Sequence, residues 1–183
     1  MASLKEFRAE INKTKLNSPT RYRIDIIPPT LLNVEELEND ALNSTPLKVT
    51  PALKNQISMY CSEFIFPSQN LATVESRYIG NTRKVPYLKT YDDLSAIFYC
   101  SEDLREYRYF LKWQELCIAK DHEVNFYDDY VGTIEVTQLD KKLEDVYTFP
   151  PIEEVYPLTV NAIPLAYVRN NEFSRCTVSF NWR

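Results

Sequence analysis

The strongest constraint on the fold is a change of period inside one stretch, TYDDLSAIFYCSEDLREYRYFLKWQ, at residues 90–114. Leu94, Ala96, Phe98 and Cys100 are apolar at every second position, with Ser95 opposite. That alternation is the pattern of a strand with one buried face. From residue 104 the period lengthens: Leu104, Tyr107, Leu111 and Ile118 share one side of a helix, widened by Phe110, Trp113 and Cys117. This spacing predicts an amphipathic helix reaching about Lys120. Only the polar joint CSED separates the two patterns. Ser101 suits an N-cap there, with Glu102 and Asp103 at the positive end of the helix dipole. A joint so short sets the helix back against its own sheet, anchored through Leu104, Tyr107, Leu111 and Trp113.

The same two-residue period recurs elsewhere. In RYRIDIIP, residues 21–28, Tyr22, Ile24 and Ile26 oppose Arg23 and Asp25, and Pro28-Pro29 ends the strand. QISMYCSEFIF, residues 56–66, reads as a second strand. VGTIEVTQL, residues 131–139, places Ile134 and Val136 opposite Thr133, Glu135 and Thr137. LEDVYTF, residues 143–149, returns antiparallel to it through a turn at Asp140–Lys142. LAYV reads as a short strand and residues 169–172 as a turn. In the final strand, FSRCTVSFNWR, Cys176, Val178, Phe180 and Trp182 alternate with Thr177, Ser179 and Asn181. Residues 67–85 read as a long excursion, a hairpin closing at Pro86. The acidic, Asn-rich segment 30–55 reads as a short helix or ordered loop, and prolines interrupt 150–164. Leu4, Phe7 and Ile11 mark an N-terminal helix over 2–14, followed by a polar linker.

These elements predict a mainly β (α+β) chain: an antiparallel, barrel-like sandwich with one principal helix. Its 183 residues suit one domain, with an N-terminal helical arm at 1–20 and long loops at 29–55 and 67–88. Strands with one apolar and one polar face mean a sheet packed on one side and wet on the other. Glycine is scarce. Two residues, Gly80 and Gly132, cannot build a phosphate-cradling loop or a dinucleotide fingerprint. The net charge of −5 argues against a nucleic-acid grip, which depends on neutralising phosphates. The four cysteines, Cys61, Cys100, Cys117 and Cys176, form no CxxC pair and read as reduced, buried thiols rather than zinc ligands. No signal peptide or membrane-spanning run is legible.

Chemistry-bearing candidates are sparse. His122 stands alone in a loop after the helix, with no nucleophile motif beside it. The acidic pairs Asp92-Asp93, Glu102-Asp103, Asp128-Asp129 and Glu153-Glu154 are adjacent in sequence, so on a strand their carboxylates diverge. Helix capping, turns and solvated surface account for them. Arg105, Arg108 and Lys112 read as a solvated helix face. Tyr107, Tyr109, Phe110 and Trp113 lack the basic groove of a base-stacking platform and read as core.

Taken in order, YRIDII, ISMYCSEFIFP, KTYDDLSAIFYCSEDLREYRYFLKWQ and VYPLTVNAIPLAYVRNNEFSRCTVSFNWR resemble the tail-tube proteins of contractile-tailed bacteriophages. That fold is shared with the tubes of contractile injection systems. The resemblance covers nearly the whole chain; segment 30–55 departs from it. It implies a structural virion protein of the tail, made in the host cytoplasm, with no active site, metal or cofactor. Six copies would join sheets edge to edge into a ring with a continuous inner barrel, and rings would stack inside a sheath. The implied partners are further copies, the sheath protein, baseplate and tail-terminator proteins, and DNA in passage without specific binding.

On that reading the wet faces line a channel, through Asp25, Ser95, Thr133, Glu135, Thr177, Ser179 and Asn181. Hydroxyls and carboxylates there let a polyanion slide without capture. Leu94, Phe98, Leu104, Tyr107, Leu111, Trp113, Phe180 and Trp182 form the core and helix anchor. Two alternatives remain open at this stage: a baseplate tube initiator or tail-completion ring of the same fold, and a cytoplasmic β-rich binding domain.

Overall fold

The computed structural model describes residues 4–5, 17–34, 50–77, 80–118, 123–166 and 172–183. The expected helix over 2–14 falls almost wholly outside these residues, as do all but the last residue of the turn expected at 169–172 and His122. Strand β1, Tyr22–Ile27, buries Ile24 and Ile26 and turns Arg23 outward. The prolines after it give way to a short helix α1, Thr30–Val34. Helix α2, Pro51–Tyr60, begins where Thr50 caps it: the hydroxyl accepts from Leu53 N at 3.3 Å, and Pro51 takes the first helical position.

Strand β2 is Cys61–Ile65, so the strand expected over 56–66 is shorter than the sequence suggests. Gln56–Tyr60 belong to α2. Alternation of Ile57 and Met59 with polar neighbours imitates a strand, but Leu53 and Ile57, four apart, are the buried pair.

Strands β3, Gln69–Ser76, and β4, Arg83–Tyr91, form the hairpin expected from the long excursion, with Gly80 at φ 88° in its turn. Pro86 does not close it. It lies inside β4, opposite Thr73, where the register slips by one residue past the Ala72–Leu88 pair. A proline without an N–H is tolerated at such a bulge.

The remaining elements are β5, Leu94–Tyr99; α3, Arg105–Cys117; α4, Tyr127–Tyr130; β6, Gly132–Leu139; β7, Asp145–Thr148; β8, Ile152–Val160; and β9, Arg175–Asn181. Leu165 and Ala166 are not in a strand, in contrast to the strand expected there. The seven-stranded sheet is antiparallel in the order β1-β6-β8-β9-β5-β2, with β7 paired to β6.

Strand β8 was hidden by its prolines. It is a corner: its first half pairs with β6 and its second half with β9. Glu154 at φ 54° and a register shift after Pro157 mark the bend. The sheet curls far enough for its two ends to meet, because the Tyr22 hydroxyl on β1 donates to the Cys61 carbonyl on β2 at 3.2 Å.

The curl closes around one hydrophobic core. Strands contribute Ile24, Ile134, Val136, Leu94, Phe98, Val178 and Phe180; α3 contributes Tyr109, Phe110 and Trp113; α2 contributes Leu53 and Ile57. The face of α3 differs from the expected one. Glu106, Tyr109, Phe110, Trp113 and Leu116 are buried, whereas Leu104, Tyr107 and Leu111 are half-buried and Ile118 is exposed. Apolar residues occupy most of the helix circumference, and the true stripe passes through a glutamate, so the polar residue masked it.

Ser101 is not the N-cap residue. Leu104 occupies that position at φ 51° after a turn closed by Leu104 N donating to Ser101 O at 3.0 Å. Ser101 still serves the helix start, its hydroxyl accepting from Arg105 N at 3.4 Å. Glu102 and Asp103 are exposed turn residues, and the acid in the first helical turn is Glu106.

Aromatic rings bind α3 to the sheet. Phe110 lies 4.8 Å from Phe98 and 5.8 Å from Phe180, and Trp113 lies 6.2 Å from Phe180, between centroids. The Trp113 indole N–H donates to Tyr130 O at 2.7 Å. Its ring fills the space above Gly132, where an added Cβ would sit 2.5 Å from Ile27 O and 2.7 Å from Trp113 Cζ2. One of the two glycines is therefore fixed by close approach rather than by backbone conformation. Gly132→Ala should destabilise the chain by roughly 1–3 kcal/mol through overpacking, measured by urea denaturation. Gly80→Ala would act through its positive φ alone, since nothing lies within 4 Å of a Cβ there.

Candidate assembly surfaces

Antiparallel registers decide which side chains share the outer face of the sheet. Asp25 faces Glu135 and Ile27 faces Thr133 between β1 and β6. Ser95 faces Ser179 and Ile97 faces Thr177 between β5 and β9; Thr159 faces Ser179 and Tyr156 faces Asn181 between β8 and β9. Residues directly opposite share a face. All seven expected channel residues are partly exposed on the face away from the core.

The curl divides them between two limbs. Asp25, Thr133 and Glu135 stand on the β1–β6 limb. Ser95, Thr177, Ser179 and Asn181 stand on the limb made by β2, β5, β9 and the second half of β8. Each group points away from the shared core, so the two limbs present different surfaces. Sequence periodicity alone fixed the face but carried no information about the curl.

The limbs differ in charge. On β1–β6, Asp25 and Glu135 are like charges directly opposed. Arg23 relieves this: its Nε lies 3.1 Å from Asp25, and its guanidinium nitrogens donate to Asp145 on β7 at 3.2 and 3.3 Å. The groups are about half exposed, so the cluster contributes on the order of 1 kcal/mol at most. Thr137, on the same outer face, is buried between Arg23 of β1 and Thr148 of β7, both opposite it in the sheet, its hydroxyl 3.4 Å from that of Thr148. The other limb presents Ser95, Thr159, Thr177, Ser179 and Asn181, with Asn181 donating to the Tyr156 hydroxyl at 2.6 Å; Glu63, opposite Ile97, and Arg175, opposite Tyr99, add one charge of each sign to the same face.

The Asp-Asp motif at 92–93 has a structural role that adjacency arguments missed. Strands β2 and β5 pair with Ile65 opposite Ser95, and β3 and β4 continue the same offset with Gln69 opposite Tyr91. The two pairs are one ribbon, whose outer half projects as an arm. Asp92 clamps its root. Its carboxylate accepts from the Ser68 hydroxyl and from Asn70 Nδ2 at 3.2 and 3.3 Å, and its N–H donates to Ser68 O at 3.1 Å. The Trp182 indole donates to Asp92 O at 3.1 Å and packs edge-on against Tyr91 at 5.0 Å. Trp182, expected in the core, is half-buried against its margin and also secures the arm.

Glu106 is the second residue that periodicity missed. Fully buried, it accepts from Ser101 N at 2.8 Å, the Ser101 hydroxyl at 2.9 Å and Gln56 Nε2 at 2.9 Å. It ties α2, the strand-to-helix joint and α3 together with satisfied hydrogen bonds. A glutamate two residues into an otherwise aromatic helix was the only signal available.

Among the described residues, no cluster of His, Cys, Asp or Glu could hold a metal ion. The four thiols are free; Cys176 is buried and the other three are half-buried. Burial pushes the thiols of Cys61 and Cys176 up to about 12 and those of Cys100 and Cys117 up to about 11.

These surfaces define a curled antiparallel sheet with a wet outer face, a helix-backed core and a projecting ribbon: the architecture of tube-building proteins. Solved structures share it. A chain of the PVC extracellular contractile injection system sheath–tube complex in its extended state aligns with a TM-score of 0.57 at 10% identity, covering 98% of this chain and 93% of its own. A chain of the PVC sheath/tube terminator aligns at 0.58 and 11%, covering 93% and 95%. A chain of the anti-feeding prophage baseplate aligns at 0.55 and 9%, covering 93% of each. No curated protein matches. The sequence profile described as phage tail tube protein matches residues 17–183, and the chain belongs to that family.

Two measurements check this geometry. Asp92→Ala should speed amide exchange across Gln69–Ser76 and Arg83–Tyr91 while β5 and β9 keep their protection. The thiols give a pH dependence: an unfolded chain releases these protons near 9.0, whereas the folded chain holds them to about 11–12. Their contribution to stability is therefore complete below about pH 9 and is lost as pH rises through 12, so the melting temperature should fall over that window.

Proposed function

We propose that copies of this chain join edge to edge into six-membered rings that stack as the inner tube of a contractile phage tail, a wall component rather than a catalyst. In that role its neighbours are the sheath around the tube and the proteins that start and finish it at baseplate and terminator. Phage DNA passes through the lumen on ejection.

The observation that carries this reading is the outer face of the β2–β5–β9–β8 limb. Ser95, Thr159, Thr177, Ser179 and Asn181 give its middle a run of small hydroxyl and amide groups, and Glu63 and Arg175 on the same face cancel in charge. Such a surface holds water and offers a polyanion little to bind. The limb ends at β2, an edge strand that a neighbour can pair with and so remove from solvent. Asp25, Thr133 and Glu135, on the β1–β6 limb, then lie away from the lumen.

Purified chain at high concentration should show rings or stacked tubes by negative-stain microscopy; a monodisperse monomer would overturn the assignment. Assemblies that stop at one or two rings would identify an initiator or completion ring instead. Ser179→Lys places one cation per subunit on the proposed lumen wall. It should leave ring formation intact and lower DNA delivery by about tenfold or more through phosphate capture. Asp25→Lys with Glu135→Lys should leave delivery close to wild type. The reverse result would put the β1–β6 limb at the lumen.

A further inference from the structure

Among the described residues three non-glycine residues have a left-handed backbone. Two of them sit in turns closed by hydrogen bonds: the Leu104 N–H donates to Ser101 O and the Leu143 N–H to Asp140 O. The third, Glu154 at φ 54°, lies inside strand β8. Gly132 pairs with Val155 and Ile134 with Ile152, so Thr133 faces both Glu153 and Glu154. Such a bulge ordinarily gives its left-handed position to glycine. The extra residue resets the alternation, and Ile152 and Val155, three apart, both turn to the core. A glutamate there strains the backbone, and strain of this kind persists only where the surroundings hold it.

The surroundings are a clasp. The Tyr127 hydroxyl donates to Glu154 Oε2 at 2.9 Å, and the Arg183 guanidinium lies 3.9 Å from the same oxygen. Tyr127 packs edge-on against Tyr130 at 5.4 Å, and Tyr130 against Tyr156 at 5.6 Å. Trp113 holds the Tyr130 carbonyl, so the clasp is anchored in the helix that spans both limbs. Within the sheet, β8 is the strand that joins the two limbs. A change of angle at its corner therefore moves β1 relative to β2. Those two edges meet where the Tyr22 hydroxyl donates to Cys61 O, beside an open cavity of about 710 Å³ lined in part by Asn55, Ser58 and Met59 of α2.

We propose that Glu154 is the clasp of a strained corner: held by Tyr127, it keeps the two limbs closed, and released, it lets the corner relax toward extended backbone and opens the seam between β1 and β2. The inference concerns the single chain and stands apart from the ring reading above. The opening is local, because the bulge lies on the half of β8 that pairs with β6. The β5–β9 ladder and the aromatic stack of α3 stay in place. The seam contains a thiol, Cys61, which burial pushes up to about 12 in the closed form. Labelling of that thiol waits on opening.

Site-resolved thiol labelling tests this. The full chain is exposed to a maleimide, and the rate at each cysteine is read by peptide mass spectrometry. Variants and wild type are compared at a concentration where sedimentation velocity gives them one assembly state. Glu154→Ala and Glu154→Gly both remove the carboxylate, but alanine keeps the left-handed strain and glycine does not. Expected is Cys61 labelling about fivefold or more faster in Glu154→Ala and within about twofold of wild type in Glu154→Gly, with Cys100 and Cys176 unchanged in both. Tyr127→Phe, which loses the hydroxyl and keeps the ring, should behave as Glu154→Ala does; an unchanged rate in it overturns the clasp even if the alanine variant does not fold. Equal Cys61 rates in the alanine and glycine variants, fast or slow, would overturn the proposal, since strain would then not drive the opening. Acceleration at all four thiols would also overturn it, because Glu154 would then support the whole fold rather than the seam.

Discussion

The structure depends on the seating of Trp113 against Gly132. The ring of the tryptophan occupies the space that any side chain at 132 would need, and its indole N–H holds Tyr130 O. That contact fixes the distance between α3 and the start of β6, while Phe110 sets the same helix against β5 and β9. One helix thus spans both limbs of the curled sheet. Without it, a sheet with one wet face would have nothing to pack its inner face against.

Glu106 shows a different kind of constraint. A buried carboxylate contributes little net stability when paired, but it is costly to leave unsatisfied. Its partners come from α2 and from the joint after β5, so a carboxylate on α3 holds a residue 50 positions away in sequence and the turn that starts its own helix. The strand-to-helix joint can therefore be short and can place Leu104 in a left-handed conformation, because Glu106 and Ser101 hold the turn from both sides. The polar atoms specify the angle and the aromatic rings supply the burial.

Much of this was legible from the residues. Alternation in LSAIFYC and RCTVSFN gave the correct faces for β5 and β9, and the turn residues at 140–142 gave the β6–β7 return. Three features misled. Pro150, Pro151 and Pro157 disguised β8, because proline argues against a central strand unless bulges are present, and bulges leave no mark in sequence. Alternation around Ile57 and Met59 disguised the end of α2, where one buried pair decides the period. The seven wet-face residues were placed on the correct side of the sheet, but their division between two limbs follows from the curl. That curl is a long-range property, visible only when the Tyr22 hydroxyl is found at Cys61, 39 positions away.

The offset shared by Ile65–Ser95 and Gln69–Tyr91 makes the root of the arm mechanically continuous with the wall of the body. A pull on the tip travels along covalent strands into β5, and from there into the β5–β9 ladder, whose hydrogen bonds run across the direction of pull. Those bonds are loaded in shear and must yield together rather than peel one at a time. The root of the arm is thus an extension of the sheet, and strain that passes the bulge at Thr73–Pro86 arrives at the face of Phe98, beneath α3.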